Sequence, residues 1–219
     1  MAADFDAIVL AGGAATRMGG VLKPVIPVAG VRMIDRVLQA VGRASRVVVV
    51  GPAELRVNRA ATNGAPVVVR VQEDPVGGGP VAAVEAAVRL GGLGRGIVVV
   101  VGGDLPLLNS GHVSGLVGMV DRLADAQPAG AVYVDGDGRA QWLCSAWRTD
   151  SVRDRLAALA ATRDGRVAGA ALRDLFGPLE PVQVRVRTVR GDRPELDLPP
   201  WFDCDTDDDR RRAEEWLRE

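Results

Sequence analysis

Four short, continuous apolar runs constrain this chain more than any other feature. They occupy residues 6–10, 46–50, 66–71 and 96–101, and three of them run directly or within one residue into glycine. A run that is apolar at every position, rather than at alternate ones, is buried on both faces, as parallel strands are. Between the runs lie segments of helical period: 33–42, with Ile34, Val37, Leu38 and Val41 on one side, then 81–90 and 110–126. Strands alternating with helices of this length predict crossover units and a mainly parallel sheet covered by helices on both faces. The expected class is therefore α/β.

The texture changes after Pro128. Strands are predicted at 131–134 and 141–147 around an Asp-Gly-Asp-Gly turn at 135–138, and helices at 149–161 and 167–175. Residues 181–189 alternate valine with polar residues, as a half-exposed strand does. A polar, proline-rich linker at 190–200 leads to a charged tail helix at 205–219. The linker is too short to separate domains, so the expectation is one domain over 1–219, with a nucleotide-binding half at 1–127 and an acceptor-binding half at 128–219.

Composition excludes several classes. An apolar fraction of 47% with 25% charged residues is ordinary for a globular chain. A net charge of -1 argues against a nucleic-acid binder. The start is acidic and lacks the basic segment of a signal peptide, and no apolar run reaches the length of about 18–20 residues that a membrane span needs. Two cysteines, Cys144 and Cys204, make neither a disulfide framework nor a zinc site, so a cytoplasmic location is expected. Of 27 basic residues every one but Lys23 is an arginine. A lone lysine in such a chain points to a task for a compact charge on a flexible stem, such as reaching a phosphate.

Lys23 closes the segment Leu10-Ala11-Gly12-Gly13-Ala14-Ala15-Thr16-Arg17-Met18-Gly19-Gly20-Val21-Leu22-Lys23, which begins at the carboxyl end of the first strand. Ligands bind at such strand ends in open α/β sheets. Gly12 and Gly13 let backbone N–H groups approach phosphate oxygens, and Arg17 and Lys23 add positive charge. The loop is neither a P-loop nor a dinucleotide fingerprint.

The segment resembles the signature Leu-Ala-Gly-Gly-x-x-x-Arg-Met-Gly-x-x-x-Lys of the molybdenum cofactor guanylyltransferases, in the MobA-like nucleotidyltransferase superfamily. The resemblance implies a Rossmann-like three-layer α/β/α sandwich and transfer of a nucleoside monophosphate from an NTP with release of pyrophosphate. Related cytidylyl- and sugar-phosphate nucleotidyltransferases usually carry Leu-Ala-Ala-Gly, so the second glycine leans toward the guanylyl branch.

Three later segments follow the family in order. Glu73-Asp74-Pro75-Val76-Gly77-Gly78-Gly79-Pro80 is similar to an aspartate followed by Gly-Pro-Leu, which helps to hold the nucleotide. Asp74 could accept hydrogen bonds from a base edge, or merely start a turn with Pro75. Gly102-Gly103-Asp104-Leu105-Pro106 resembles the family's Cys-Asp-Met-Pro, whose aspartate binds the catalytic Mg²⁺. One or two carboxylates suffice for that ion, which keeps waters and phosphate oxygens as its other ligands. Asp203-Cys204-Asp205-Thr206 stands where guanylyltransferases have Asn-x-Asn-Thr. Asp205 is either a second metal ligand, as acids are in related cytidylyltransferases, or a helix cap with acids facing the dipole. The family's His-Pro is replaced by Gln141-Trp142 in the acceptor-facing half.

The resemblance thus implies Arg17, Lys23 and Asp104 as catalytic residues and Mg²⁺ as cofactor, held by Asp104 and Asp205. Leu10, Ala11, Gly12, Gly13, Lys23, Asp74, Gly79 and Asp104 are the implied nucleotide-binding set. The partners implied are GTP or another NTP and a phosphorylated small-molecule acceptor, with neither nucleic acid nor membrane, on a monomer or small homo-oligomer. Two rivals remain: a nucleotidyltransferase using CTP or another NTP on a pterin, sugar phosphate or phospholactate, and a non-catalytic nucleotide-binding protein. Outside this set, Ser110 is expected to cap the following helix, His112 to be a surface or cap residue, and Trp142 and Trp147 to be core or pocket wall.

Overall fold

The computed structural model describes residues 4–12, 22–57, 66–94, 96–123, 128–185 and 198–218. In chain order the elements are β1 (Phe5–Leu10), a 3₁₀ turn (Lys23–Val25), β2 (Pro27–Val28), β3 (Val31–Arg32), α1 (Met33–Ala40), β4 (Arg46–Val50) and β5 (Val67–Val71). Then come α2 (Pro80–Leu90), β6 (Ile97–Gly102), α3 (Ser110–Arg122), β7 (Gly130–Val134), β8 (Ala140–Arg148) and α4 (Thr149–Ala161). The last are α5 (Leu172–Phe176), a 3₁₀ turn (Gly177–Leu179), β9 (Val182–Arg185) and α6 (Asp207–Trp216).

Among the described residues seven strands form one sheet in the order β5-β4-β1-β6-β8-β7-β9. The four apolar runs pair in parallel as the contiguous block β5-β4-β1-β6, with β5 at the edge of the sheet. Among the described strands β8 alone is reversed, antiparallel to β6 and β7, while β9 is parallel to β7. The sheet is mainly parallel, as the alternation of elements predicts, and strands from the second half extend it.

Continuous apolarity has the meaning expected of it in β1, β4 and β6, but not in β5, an edge strand interrupted by Arg70 in which only Val71 is buried. Phe5, Ala7 and Val9 of β1, Val47 and Val49 of β4, and Val99 and Val101 of β6 face one core with Ile34 and Val37 of α1 and Leu116 of α3. The intervening Ile8, Val48, Val98 and Val100 face a second core with Val81 and Val84 of α2, Val152 of α4 and Phe176 of α5. Two buried faces on one sheet make the α/β/α sandwich. A smaller core joins Val28 and Met33 to Leu107, Cys204 and Ala213, and so docks α6 on the β2–β3 hairpin. No helix among the described residues is long and apolar enough to cross a membrane.

Several expectations need correction. The cap of α3 is Asn109, whose side chain accepts hydrogen bonds from the N–H groups of Gly111 and His112, so Ser110 is the first helical residue. His112 is a cap residue but not a surface one: its Nδ1 accepts from the Asn109 N–H, and it is buried against the edge of Tyr133. The helix predicted at 167–175 is confined to Leu172–Phe176. Gly169, with φ +77°, holds a backbone conformation that interrupts helix before it. The β2–β3 hairpin was not anticipated. Its two turn residues, Ala29 and Gly30, have φ of 49° and 77°, the left-handed pair that matches strand twist in tight hairpins.

Candidate active site

The carboxyl ends of β1 and β6 meet where the sequence places its glycines. The Ala11 N–H donates to the Val50 carbonyl at 2.7 Å and the Gly103 N–H to the Leu10 carbonyl at 2.8 Å, so the sheet register continues past both strand ends. A Cβ on Gly103 would lie 2.9 Å from the Ala11 Cβ, and one on Gly102 2.8 Å from Asp104 Oδ1. The pair Gly102-Gly103 therefore admits Asp104 to the mouth of the crevice, where larger residues would push it away. Gly12 stands opposite. A Cβ there would lie 3.7 Å from Glu73 Oε1.

Lys23 opens the 3₁₀ turn, with Pro24 fixing the backbone behind it. Its Nζ lies 2.7 Å from Asp104 Oδ2, 2.9 Å from Asp205 Oδ1 and 3.6 Å from Asp203 Oδ2. Residues far apart in sequence thus converge on one ammonium, and Asp203 joins a group in which Asp104 and Asp205 were the acids expected. Partial burial would lower the lysine, but Asp104, Asp205 and Asp203 together hold it above the ordinary lysine value. Partial burial raises the Asp203 carboxyl above the ordinary carboxylate range; Lys23 opposes this, and the charges of Asp205 and Asp104 add to it.

The two readings of Asp205 separate here. Thr206 is the cap of α6: its hydroxyl oxygen accepts from the Asp209 N–H, and the Asp209 carboxylate accepts from the Thr206 N–H. Asp205, one residue earlier, accepts a hydrogen bond from Lys23 instead. Cys204, between the two aspartates, is buried in the small core under α6 and so anchors the acidic segment. Burial, then the charge of Asp209, pushes its thiol up to about 12, consistent with an inert packing residue.

Two cavities meet at Asp104. The larger, about 600 Å³, is lined by Leu10, Gly12, Leu22, Glu73, Gly79 and Asp104. The smaller, about 320 Å³, has Asp104, Gln141, Trp142, Leu143, Trp201 and Asp203 among its walls. Both sizes fall within the range of small-molecule sites. Trp142 is pocket wall and Trp147 is core, which divides the two tryptophans between the alternatives expected of them. Asp74 is exposed and is not among the residues lining the larger cavity; its neighbour Glu73 is. The Glu73 carboxylate also accepts from the Gly77 N–H at 3.2 Å, folding the glycine turn beneath itself. Gly13 and Arg17 lie outside the described residues.

The glycine turn leads directly into α2. Gly79 precedes the helix with φ +89°, and Pro80 occupies its first turn. A Cβ on Gly78 would meet the Pro75 carbonyl at 2.8 Å and the Ala82 Cβ at 2.9 Å, so the turn requires glycine there. The Gly78 carbonyl accepts from the Gly169 N–H at 2.8 Å, tying this turn to the second half of the chain.

Among the described residues no group of three or more His, Cys, Asp or Glu is gathered as a ready metal cage. The donor chemistry nevertheless suits a hard cation. Asp104 and Asp205 offer carboxylate oxygens at one point beside the larger cavity, and an octahedral cation that keeps waters and phosphate oxygens needs no more protein ligands than these.

The sequence-family model of the MobA-like NTP transferase domain matches residues 7–178. This chain belongs to the MobA-like NTP transferase family. The match takes in β1 from Ala7 onward, the glycine turn, Asp104, Gln141 and Trp142, and ends before Asp203 and Asp205. No curated protein matches the chain in sequence.

Among solved structures, 2-C-methyl-D-erythritol 4-phosphate cytidylyltransferase from Thermus thermophilus is similar with a TM-score of 0.66 and 16% identity, over 100% of both chains. Molybdopterin-guanine dinucleotide biosynthesis protein A from Archaeoglobus fulgidus has a TM-score of 0.63 and 22% identity, over 97% of this chain and 98% of that one. The 4-diphosphocytidyl-2C-methyl-D-erythritol synthase from Anaerococcus prevotii has a TM-score of 0.63 and 10% identity, over 99% of both. At these identities the likeness speaks to the fold. The family membership makes the chain an NTP transferase by kind, and its neighbours include both guanylyl and cytidylyl branches.

Proposed function

We propose that this chain transfers GMP from GTP to the terminal phosphate of molybdopterin or the molybdenum cofactor, releasing pyrophosphate. The observation that carries the proposal is the Lys23–Asp104 pair, 2.7 Å apart, with Asp104 in the wall shared by two cavities of different character. The larger cavity lies against the glycine turns and suits the nucleotide. The smaller has the indoles of Trp142 and Trp201 among its walls, surfaces that suit a flat acceptor ring better than a polyol.

In this reading an acceptor phosphate oxygen attacks the α-phosphorus in line. Phosphate is already ionised at neutral pH, so no general base is needed, and His112 is free to serve as a cap. The backbone at Gly12 would approach the phosphates and Lys23 would neutralise charge on them, roles that the family resemblance extends to Gly13 and Arg17. Gly79 and the first turn of α2 stand beside the nucleotide, and Glu73, rather than Asp74, faces it. Asp104 and Asp205 would hold Mg²⁺, which would supply charge stabilisation for a departing pyrophosphate. Positioning by the two cavities supplies the remainder of the rate.

A second reading, transfer of CMP, is favoured by one feature: Asp203 and Asp205 stand where guanylyltransferases carry asparagine. Thermal unfolding in Mg²⁺ with GTP, CTP, ATP and UTP in turn separates the two. The guanylyl reading predicts the largest rise in Tm with GTP, about 3 °C or more at a hundredfold excess over Kd. A largest rise with CTP would transfer the assignment to the cytidylyl branch.

A further inference from the structure

Resting on the reading that a divalent cation serves this site, we propose that Lys23 and that cation are alternative occupants of one carboxylate cluster. Lys23 holds Asp104 and Asp205 together while no cation is present and releases them when one arrives, which frees its ammonium for the phosphates. The geometry makes the two roles exclusive. The Lys23 ammonium lies 2.7 Å from Asp104 and 2.9 Å from Asp205, with Asp203 at 3.6 Å. An ammonium carries three donors, and those aimed at carboxylates are not available to a triphosphate. Without a positive charge among them, three carboxylates this close would repel one another and open the mouth of the cleft.

The same arrangement gives a reason for the lone lysine. In a chain whose other basic residues are all arginine, a guanidinium here would grip a carboxylate through two parallel hydrogen bonds and release it poorly. A point charge on a four-carbon stem can let go. The position of Lys23 at the start of a proline-fixed turn confines the exchange to its side chain, leaving the backbone where it is.

The test is direct binding of Mn²⁺ to the nucleotide-free protein, read from the electron paramagnetic resonance signal of free Mn²⁺. Lys23→Met removes the competing charge and is expected to tighten Mn²⁺ binding by at least about tenfold over wild type. Lys23→Arg keeps the charge and is expected to bind no tighter than wild type. Thermal unfolding checks that each variant is folded, and Lys23→Gln replaces Lys23→Met should the latter fail to fold. Unchanged or weaker Mn²⁺ binding by the neutral variant overturns the exchange, and intact Mg²⁺-dependent transfer by wild type would then leave the functional reading standing. Absence of Mn²⁺ binding from every protein, with nucleotide as well as without, overturns the exchange and the metal assignment together.

Discussion

Asp104→Asn is expected to lower NTP-dependent pyrophosphate release by about a thousandfold or more while leaving the fold intact. Asparagine keeps the size of the side chain and one carbonyl oxygen, but removes the charge that faces Lys23 and that the proposed cation would need. The carboxylate is 24% exposed and shares Lys23 with Asp205 and Asp203, so its loss leaves no buried charge unpaired. The expected change in unfolding free energy is therefore small, about 1 kcal/mol or less. Steady-state pyrophosphate release and urea denaturation of the same preparation check both halves. A near-normal rate would remove Asp104 from the chemistry. A lost rate accompanied by a collapsed unfolding midpoint would make its role structural.

The second large effect is on stability, far from the chemistry. Trp147→Ala is expected to cost about 3–5 kcal/mol, seen as a lower urea midpoint. Trp147 is fully buried in β8, and its ring stacks on Phe176 of α5 with centroids 4.4 Å apart and planes 6° from parallel. Its indole N–H donates to the Ser145 hydroxyl at 2.7 Å, and that hydroxyl donates to the Trp142 carbonyl at 2.7 Å. The surroundings are closely packed, so truncation leaves a cavity. Gly130 packs so close to this ring that a Cβ there would lie 2.2 Å from it. Trp147→Phe should retain the stacking and lose the hydrogen bond, at about 1–2 kcal/mol. A cost below about 1 kcal/mol for the alanine variant would mean that this part of the core is loosely packed.

Much of this architecture was legible because a parallel sheet writes itself into sequence without ambiguity. Residues such as Val47 to Val50 are apolar in succession because both faces of β4 are covered, and few other environments ask for that. The direction of β8 was not legible. An apolar strand reads the same whichever way it runs, and its reversal depends on pairing with β6 and β7. The β2–β3 hairpin was hidden for another reason: two strands of two residues are too short to show a period.

The site divides along similar lines. Lys23 and Asp104 could be singled out because one is unique in composition and the other follows a buried strand into a glycine pair. Asp205 carried two meanings that composition could not separate, since a carboxylate before a helix suits a cap as well as a cation. The separation came from Thr206, whose hydroxyl takes the cap and leaves the acid to Lys23. Asp203 was visible as a departure from the family's asparagine and Glu73 as part of the glycine segment, but nothing in the sequence gave either side chain a direction. Glu73 and Asp74 stand side by side and the backbone decides which one faces the cleft, whereas Asp203 and Asp205 both reach Lys23.

The central claim is nucleotidyl transfer, and product analysis tests it most directly. GTP carrying a labelled α-phosphate, Mg²⁺ and molybdopterin are incubated with the protein, and the products are separated by mass. The account predicts pyrophosphate and a labelled nucleotide–acceptor diphosphate in equal amounts, both absent with Asp104→Asn. Nucleotide binding without pyrophosphate for any NTP and phosphorylated acceptor, or release of inorganic phosphate alone, would contradict it.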